Sequence, residues 1–341
     1  MGAQHKPVIT AIRPAMGVPG GMISIACKGF EPGLPSEASV MVGDIPADIL
    51  SASPDRVIAK LPDNRNALGI SLRVRKKVSA VFPFSLATLL ADGLHPVTSP
   101  VIAPDGTIIT TVSGNRGEQT AHPLVRVTRG GEKIPFPCDI MNPTGLAFSP
   151  DGQLYISSRN DGTVLRYADY RELEVVADEL GIPCGIAFDS EGNLYVGDRT
   201  GRIVQVDVGS GARTEFARLE PSVSAYHIAI DARDRLYVTA PTLSIRDSLF
   251  RIARSGEVEV VLHGFGRPQG MAFLPNGDLL ITGGYQGDKG AFRFSPDTGE
   301  VEHSIAGPIL VGVAASSYGT VLANSGSIFL LEPTGYNSSV S

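Results

Sequence analysis

One phrase recurs from about residue 98 to the end of this 341-residue chain, and it constrains the fold more than any other feature. A glycine opens a short apolar-alternating stretch, a turn follows, and then comes Gly-x-Leu-Tyr-apolar. The clearest copy is Gly145-Leu146-Ala147-Phe148-Ser149-Pro150-Asp151-Gly152-Gln153-Leu154-Tyr155-Ile156. Others start at Gly185 and Gly270, and at His227, where histidine replaces the glycine; weaker ones start at Pro100 and Gly312. The turn residues fall at Gly106, Gly152, Gly192, Asp234, Gly277 and Gly319, spaced 46, 40, 42, 43 and 42 residues apart. A period near 42 built from strand pairs predicts a β-propeller with four strands per blade, and six anchors predict six blades. The last repeat is short: after Ser327-Ile328-Phe329-Leu330-Leu331 the chain runs into Asn337-Ser338-Ser339-Val340-Ser341, read as a loose tail over 334–341. Its fourth strand is expected from Phe84-Ser85-Leu86-Ala87-Thr88-Leu89-Leu90, which would close the ring and leave no open edge.

The first quarter reads differently. Short alternating strands (Val8–Ile12, Met22–Cys27, Ser39–Val42, Val57–Leu61, Ile70–Val74) are separated by Gly, Pro and Asp turns. That rhythm predicts an immunoglobulin-like β-sandwich over 7–85, followed by the propeller over 86–333, in an all-β protein. The chain has no Trp, so the Cys-Trp-Cys core of antibody domains is excluded. Glycine and proline, 39 and 25 residues, supply the turns such a fold needs.

The wording of the first quarter resembles an IPT/TIG domain. Pro7-Val8-Ile9-Thr10-Ala11-Ile12-Arg13-Pro14, the run from Gly20 to Phe30 and the run from Val40 to Ala47 carry the resemblance. The repeats resemble the NHL and senescence-marker-protein/gluconolactonase type of six-bladed propeller, most closely at Thr144 to Tyr155. TIG units joined to propellers resemble bacterial surface proteins, which implies an envelope role. The opening residues carry no apolar signal-peptide core, so the chain as it stands is expected to be cytoplasmic, and a trimmed start would leave the envelope open.

Composition narrows the partners. Charged residues are 19%, net charge is −6, and no run is apolar enough for a transmembrane helix. With no global basic field, nucleic acid is not the expected partner. Cys27, Cys138 and Cys184 form no C-x-x-C pair, which argues against a disulfide framework or a structural zinc site.

Propeller geometry selects the residues that can do chemistry. The start of each innermost strand and the loop leaving the second strand share one mouth. The first set is Thr98, Thr144, Cys184, Tyr226, Gln269 and Val311. The second is Asn115 and Arg116; Arg159, Asn160 and Asp161; Asp198 and Arg199; Arg246 and Asp247; Tyr285 and Asp288. The gluconolactonase resemblance implies a Glu, an Asn and an Asp holding a divalent metal at the first set. Here the Glu position falls on Thr98 and the others fall among Thr144, Cys184, Tyr226 and Gln269, none a carboxylate. Neutral oxygens and a soft thiol suit Ca²⁺ poorly, so no cofactor is expected; Ca²⁺ or Zn²⁺ enters only if Asp161, Asp198 or Asp288 rebuilds a site.

Arg116, Arg159 and Arg199 recur in successive exit loops. They can hold a small anionic ligand or an acidic protein segment, or they can brace their loops against Asp161 and Asp198. His227 could serve as a general base or simply fill space, and Cys184 could act as a nucleophile only with a base beside it. Two functions stay open: a non-catalytic recognition module for a small ligand or an unknown protein, and a lactonase-like hydrolase or lyase with a rebuilt site.

Overall fold

The computed structural model describes residues 6–31, 37–63, 68–94, 97–112, 120–169 and 172–333, and they are built from β-strands with no α-helix. The expected tail, 334–341, lies outside the described residues, as do Asn115 and Arg116.

Each turn residue picked out by the repeat closes a hairpin. Gly152 donates its N–H to the Ser149 carbonyl at 2.9 Å with φ +84°, and Asp234 does the same to Asp231 at 3.0 Å with φ +57°. The left-handed backbone explains why glycine is usual there, and why an aspartate is the substitute that tolerates it. The resulting sheets are antiparallel. Four-stranded sheets form from Val97–Ile102, Ile108–Val112, Leu124–Val127 and Lys133–Phe136; from Pro143–Phe148 through Glu172–Ala177; and from Pro183–Phe188 through Arg213–Arg218. The strands of 227–266 and of 271–306 pair in the same serial way. They are also joined to each other where Phe265 faces Tyr285 and Gly266 faces Gly284.

The glycine that opens each repeat has a second cause. Innermost strands of neighbouring repeats come so close that a side chain would collide. A Cβ on Gly185 would lie 2.4 Å from the Tyr226 carbonyl oxygen, to which the Gly185 N–H is bonded at 2.8 Å. Between the second and third repeats, Ser157 Oγ accepts from Gly145 N at 2.7 Å and donates to the Cys184 carbonyl at 2.6 Å. Apolar side chains from adjacent sheets, such as Tyr155, Ile186 and Val196, fill the space between them.

The short last repeat, Gly312–Ser316, Gly319–Ala323 and Ile328–Leu331, takes its fourth strand from Thr88–Ala91, which pairs antiparallel with Ile328–Leu330. Ala91 and Leu94 are buried with Val321, Ala323 and Ile328 behind that pairing. The sandwich is tied in just before it. Met16–Gly17 runs parallel between Ser85–Leu86 on one side and Ile305–Ala306 on the other, so the sandwich and the ring share one hydrogen-bonded sheet. A Cβ on Gly21 would meet the Ala306 carbonyl oxygen at 2.6 Å, a backbone contact that cannot yield cheaply. In the sandwich itself, Ile23, Ile25, Val40, Val57, Ile70 and Leu72 are fully or almost fully buried between two sheets.

Closure by a strand from the far end of the chain makes the ring one cooperative unit. A chain lacking residues 1–95 is expected to lose several kcal/mol of propeller stability, about 10 °C or more in Tm. An unchanged melting temperature for the truncated ring, measured by circular dichroism, would show that the strand contributes nothing.

Candidate functional site

The mouth of the ring is a pocket of about 280 Å³, and its lining gathers Thr144, Arg159, Cys184, Arg199, Tyr226, His227 and Gln269. These seven come from the second to the fifth repeats: six were selected by the geometric rule, and His227 by its replacement of the repeat's glycine. Thr98 lies in the strand Val97–Ile102, and its side chain lies outside the described residues, as does Arg116. Asp198 borders this region but does not line the pocket.

The two described arginines have different roles. Arg199 donates from Nε to the Ser222 carbonyl at 3.2 Å and from Nη2 to the Val223 carbonyl at 2.9 Å. It therefore braces the loop that enters the fourth repeat, using backbone oxygens in place of the loop carboxylates that the sequence suggests. That loop is fastened onward, since Ser222 Oγ donates to the Pro241 carbonyl at 2.8 Å. Arg159 is exposed, lines the pocket, and makes no ion pair among the described residues. Its neighbour Asp161 instead accepts from Ser158 Oγ at 2.6 Å and from Asn160 Nδ2 at 2.9 Å.

Asp198 is fully buried and fully used. Oδ1 accepts from the backbone N–H groups of Ile182 at 3.0 Å and Thr200 at 3.2 Å. Oδ2 accepts from Thr200 Oγ1 at 2.6 Å and from Arg202 Nε at 2.9 Å. Burial opposes its charge, yet these hydrogen bonds outweigh burial and hold its pKa below the ordinary carboxylate value. Asp198 is a structural brace between the second and third repeats, with no lone pair turned to the pocket. Asp288, the third carboxylate considered for a metal site, is exposed at a hairpin tip beside His303, at 3.8 Å. Among the described residues no group of three or more His, Cys, Asp or Glu side chains is placed to hold a metal ion.

Cys184 is buried, and its Sγ lies 3.4 Å from the Ile182 carbonyl. Burial raises its pKa more than the nearby Arg199 and Arg159 charges lower it, so it stays a thiol. Tyr226 is fully buried, and its hydroxyl donates to the Glu220 carbonyl. Burial also raises its pKa, and its ring packs where Gly197 leaves room.

His227 is the unusual member. It is 9% exposed and its Nε2 is buried without a hydrogen-bond partner. Burial drives its pKa down to about 4, against a smaller opposing contribution from Gln269. The residue lines two cavities at once: the mouth pocket and a central channel of about 320 Å³ walled by Leu146, Ile186, Met271 and Val313. An imidazole in the place of the repeat's glycine thus puts a neutral polar side chain in a channel lined mainly by glycines and apolar side chains.

The pocket also uses Val223, Ser224 and Ala225, which no motif marks. They lie in the loop before the fourth repeat, where repeat spacing carries no information.

The IPT/TIG domain family matches residues 7–86. Shorter stretches match the strictosidine synthase-like N-terminal family, over 173–206, and the WD domain G-beta repeat, over 140–166. No curated protein matches the sequence. Among solved structures, a protein of unknown function from Bacteroides thetaiotaomicron is 14% identical with a TM-score of 0.55, covering 96% of this chain and 98% of its own. An auxiliary nutrient binding protein from the same organism is 11% identical with a TM-score of 0.56, over 96% and 98%. Virginiamycin B lyase from Staphylococcus aureus is 17% identical with a TM-score of 0.50, over 91% and 99%. At such identities the likeness establishes the fold, an all-β propeller preceded by an immunoglobulin-like IPT/TIG domain.

The buried neutral histidine has a signature in pH. Unfolded His227 takes up a proton near pH 6.5, whereas the folded residue resists until about pH 4. Between those values the unfolded chain binds more protons, so acidification through that window removes stability, by about 3 kcal/mol at most from this residue. His303, whose pKa is also lowered by burial, adds in the same direction. Denaturant melts from pH 7 to pH 4 are expected to show a shallower loss in His227→Gln than in the wild type. Equal slopes, or an NMR titration of His227 near pH 6.5, would contradict the buried neutral state.

Proposed function

We propose that this protein is a non-catalytic recognition module in which residues 7–85 form the sandwich and residues 86–333 form a six-bladed ring. The strands of 227–266 and 271–306 count as the fourth and fifth blades, and Thr88–Ala91 completes the last. The mouth pocket is its ligand site, and the ligand class is a small anion.

One observation carries this reading. Arg159 presents an unpaired guanidinium to a pocket whose lining contains no carboxylate. A buried thiol and a neutral imidazole beside it offer neither a thiolate nor a cationic acid. Charge-assisted, two-pronged hydrogen bonding to a carboxylate or phosphate is what such a site does best. The nutrient-binding neighbour from Bacteroides thetaiotaomicron accords with a ligand pocket on this scaffold.

A second reading, a hydrolase or lyase, has its own support in His227. A neutral imidazole whose Nε2 has no hydrogen-bond partner, on a residue that lines a cavity, is a proton acceptor in waiting. The lyase neighbour accords with that reading. A conformation able to engage Ca²⁺ or Zn²⁺ would be required only on this second reading.

Titration of succinate, sugar phosphates and lactones separates the two. Recognition predicts that Arg159→Ala weakens binding of the preferred anion ten- to a hundredfold, since a charge-assisted hydrogen bond is worth about 1.5–3 kcal/mol, with little change in Tm. It also predicts that no compound is turned over. Product formation that is lost in His227→Ala would establish the enzyme, and equal affinities in wild type and Arg159→Ala would remove the anion site.

A further inference from the structure

A second cavity, of about 1090 Å³, adjoins the mouth pocket, and Val223 lines both. One wall is the loop carrying Leu243, Ile245 and Arg246. The other is the hairpin that joins Leu279–Tyr285 to Asp288–Phe294 through Gln286-Gly287, with Arg267 at its foot. Both walls are fixed. Asp247 Oδ1 accepts from Thr242 N at 2.9 Å and Thr242 Oγ1 at 2.8 Å, pinning the loop. Gln286 and Gly287 have φ of +50° and +94°, the tight two-residue turn that keeps a hairpin stiff.

The groove's chemistry is lopsided in charge and in hydropathy. Arg246, Arg267 and Lys289 are exposed and form no ion pair among the described residues. With Arg159 and Arg199 in the pocket they make five cations along two adjoining cavities, against the single carboxylate of Asp288. The chain as a whole carries a net charge of −6, so this face is positive against the trend of the molecule. Between the cations, Leu243 and Ile245 are 92% and 86% exposed, two residues apart. Large aliphatic side chains left that far in water on a pinned loop mark a surface that is covered when in use.

We infer that the groove binds an extended acidic peptide segment of a partner protein, its carboxylates on Arg246, Arg267 and Lys289 and its apolar side chains on Leu243 and Ile245. The inference rests on the mouth pocket taking an anion: one carboxylate of the same segment reaches past Val223 to Arg159. A peptide fits better than the other polyanions. Sugar rings favour Trp, Tyr and Phe platforms, and Tyr285 is the one such residue in the groove lining. A lipid surface needs a convex apolar tip, whereas these side chains line a concave groove.

The probe is fluorescein-labelled Glu-Leu-Asp-Ile-Glu-Leu-Asp, read by anisotropy on the full chain, with N-acetylglutamate as the single-residue anionic control by calorimetry. The peptide is expected to bind at least thirtyfold more tightly than N-acetylglutamate, and to weaken steeply with salt. Arg267→Glu with Lys289→Glu is expected to cost the peptide tenfold or more and leave N-acetylglutamate unchanged. Leu243→Ser with Ile245→Ser is expected to cost the peptide a similar factor without altering its salt dependence. Peptide binding no tighter than N-acetylglutamate, with the latter still lost in Arg159→Ala, would overturn the groove and leave the pocket standing. Loss of both ligands from the wild type would overturn both. A heparin hexasaccharide or anionic phosphatidylserine vesicles bound more tightly than the peptide, and indifferent to the Leu243 and Ile245 changes, would overturn the peptide assignment.

Discussion

The pairing of Thr88–Ala91 with Ile328–Leu330 is the contact on which the rest of the molecule depends. It joins segments about 240 residues apart, so the loop-closure entropy of the whole ring must be met before that sheet forms. Once it forms, the last repeat has four strands like those of the first three repeats, and innermost strands lie against those of their neighbours. The parallel insertion of Met16–Gly17 beside Ile305–Ala306 extends the same sheet into the sandwich. The N-terminal domain is thereby a lateral continuation of the ring, and its position relative to the mouth is fixed by backbone hydrogen bonds.

Rigid closure explains the mouth. Neighbouring innermost strands approach closely enough to exclude a side chain at Gly145, Gly185 and Gly270, so glycines and mainly apolar side chains line the channel. Polar groups then concentrate in the loops above it, and most are consumed in joining one blade to the next. Asp198 ties Ile182 to Thr200 and Arg202, and Arg199 ties its loop to Ser222 and Val223. What remains unspent is Arg159 in the pocket, with the buried, unpartnered Nε2 of His227 close by.

Much of the fold was legible because its causes are local. The turn residues require a left-handed backbone, the opening glycines mark close approach, and the alternation in residues 7–85 reports a two-layer sandwich. The need for a closing strand was legible from a shortage in the last repeat, but its bounds were not: of the expected residues 84–90, 84–86 belong to the strand Phe82–Leu86 on the sandwich sheet, and Thr88–Ala91 pairs with the last repeat. The junction at Phe265 and Tyr285, which fuses two runs of strands, was not, because repeat spacing is blind to how far a strand extends past its own sheet.

Position at the mouth was equally legible, and seven of the chosen side chains meet in one pocket. Role was not. Asp198 and Arg199 sit side by side in sequence, which suggests a salt bridge, yet Asp198 pairs with Arg202 and Arg199 reaches carbonyls of the next repeat. Partners contributed by a neighbouring blade leave no mark at the residue that uses them. The exposure of Leu243 and Ile245 was hidden for another reason: an apolar pair between polar residues reads equally as a strand.

Native-state hydrogen exchange tests the closure account most directly. If Thr88–Ala91 locks the ring, its amides exchange only through global opening, with the same free energy and denaturant dependence as the amides of Leu154–Ser158 and Leu194–Asp198. Exchange of Thr88–Ala91 through a low-energy local opening, while those inner strands remain protected, would show that the ring holds together without it.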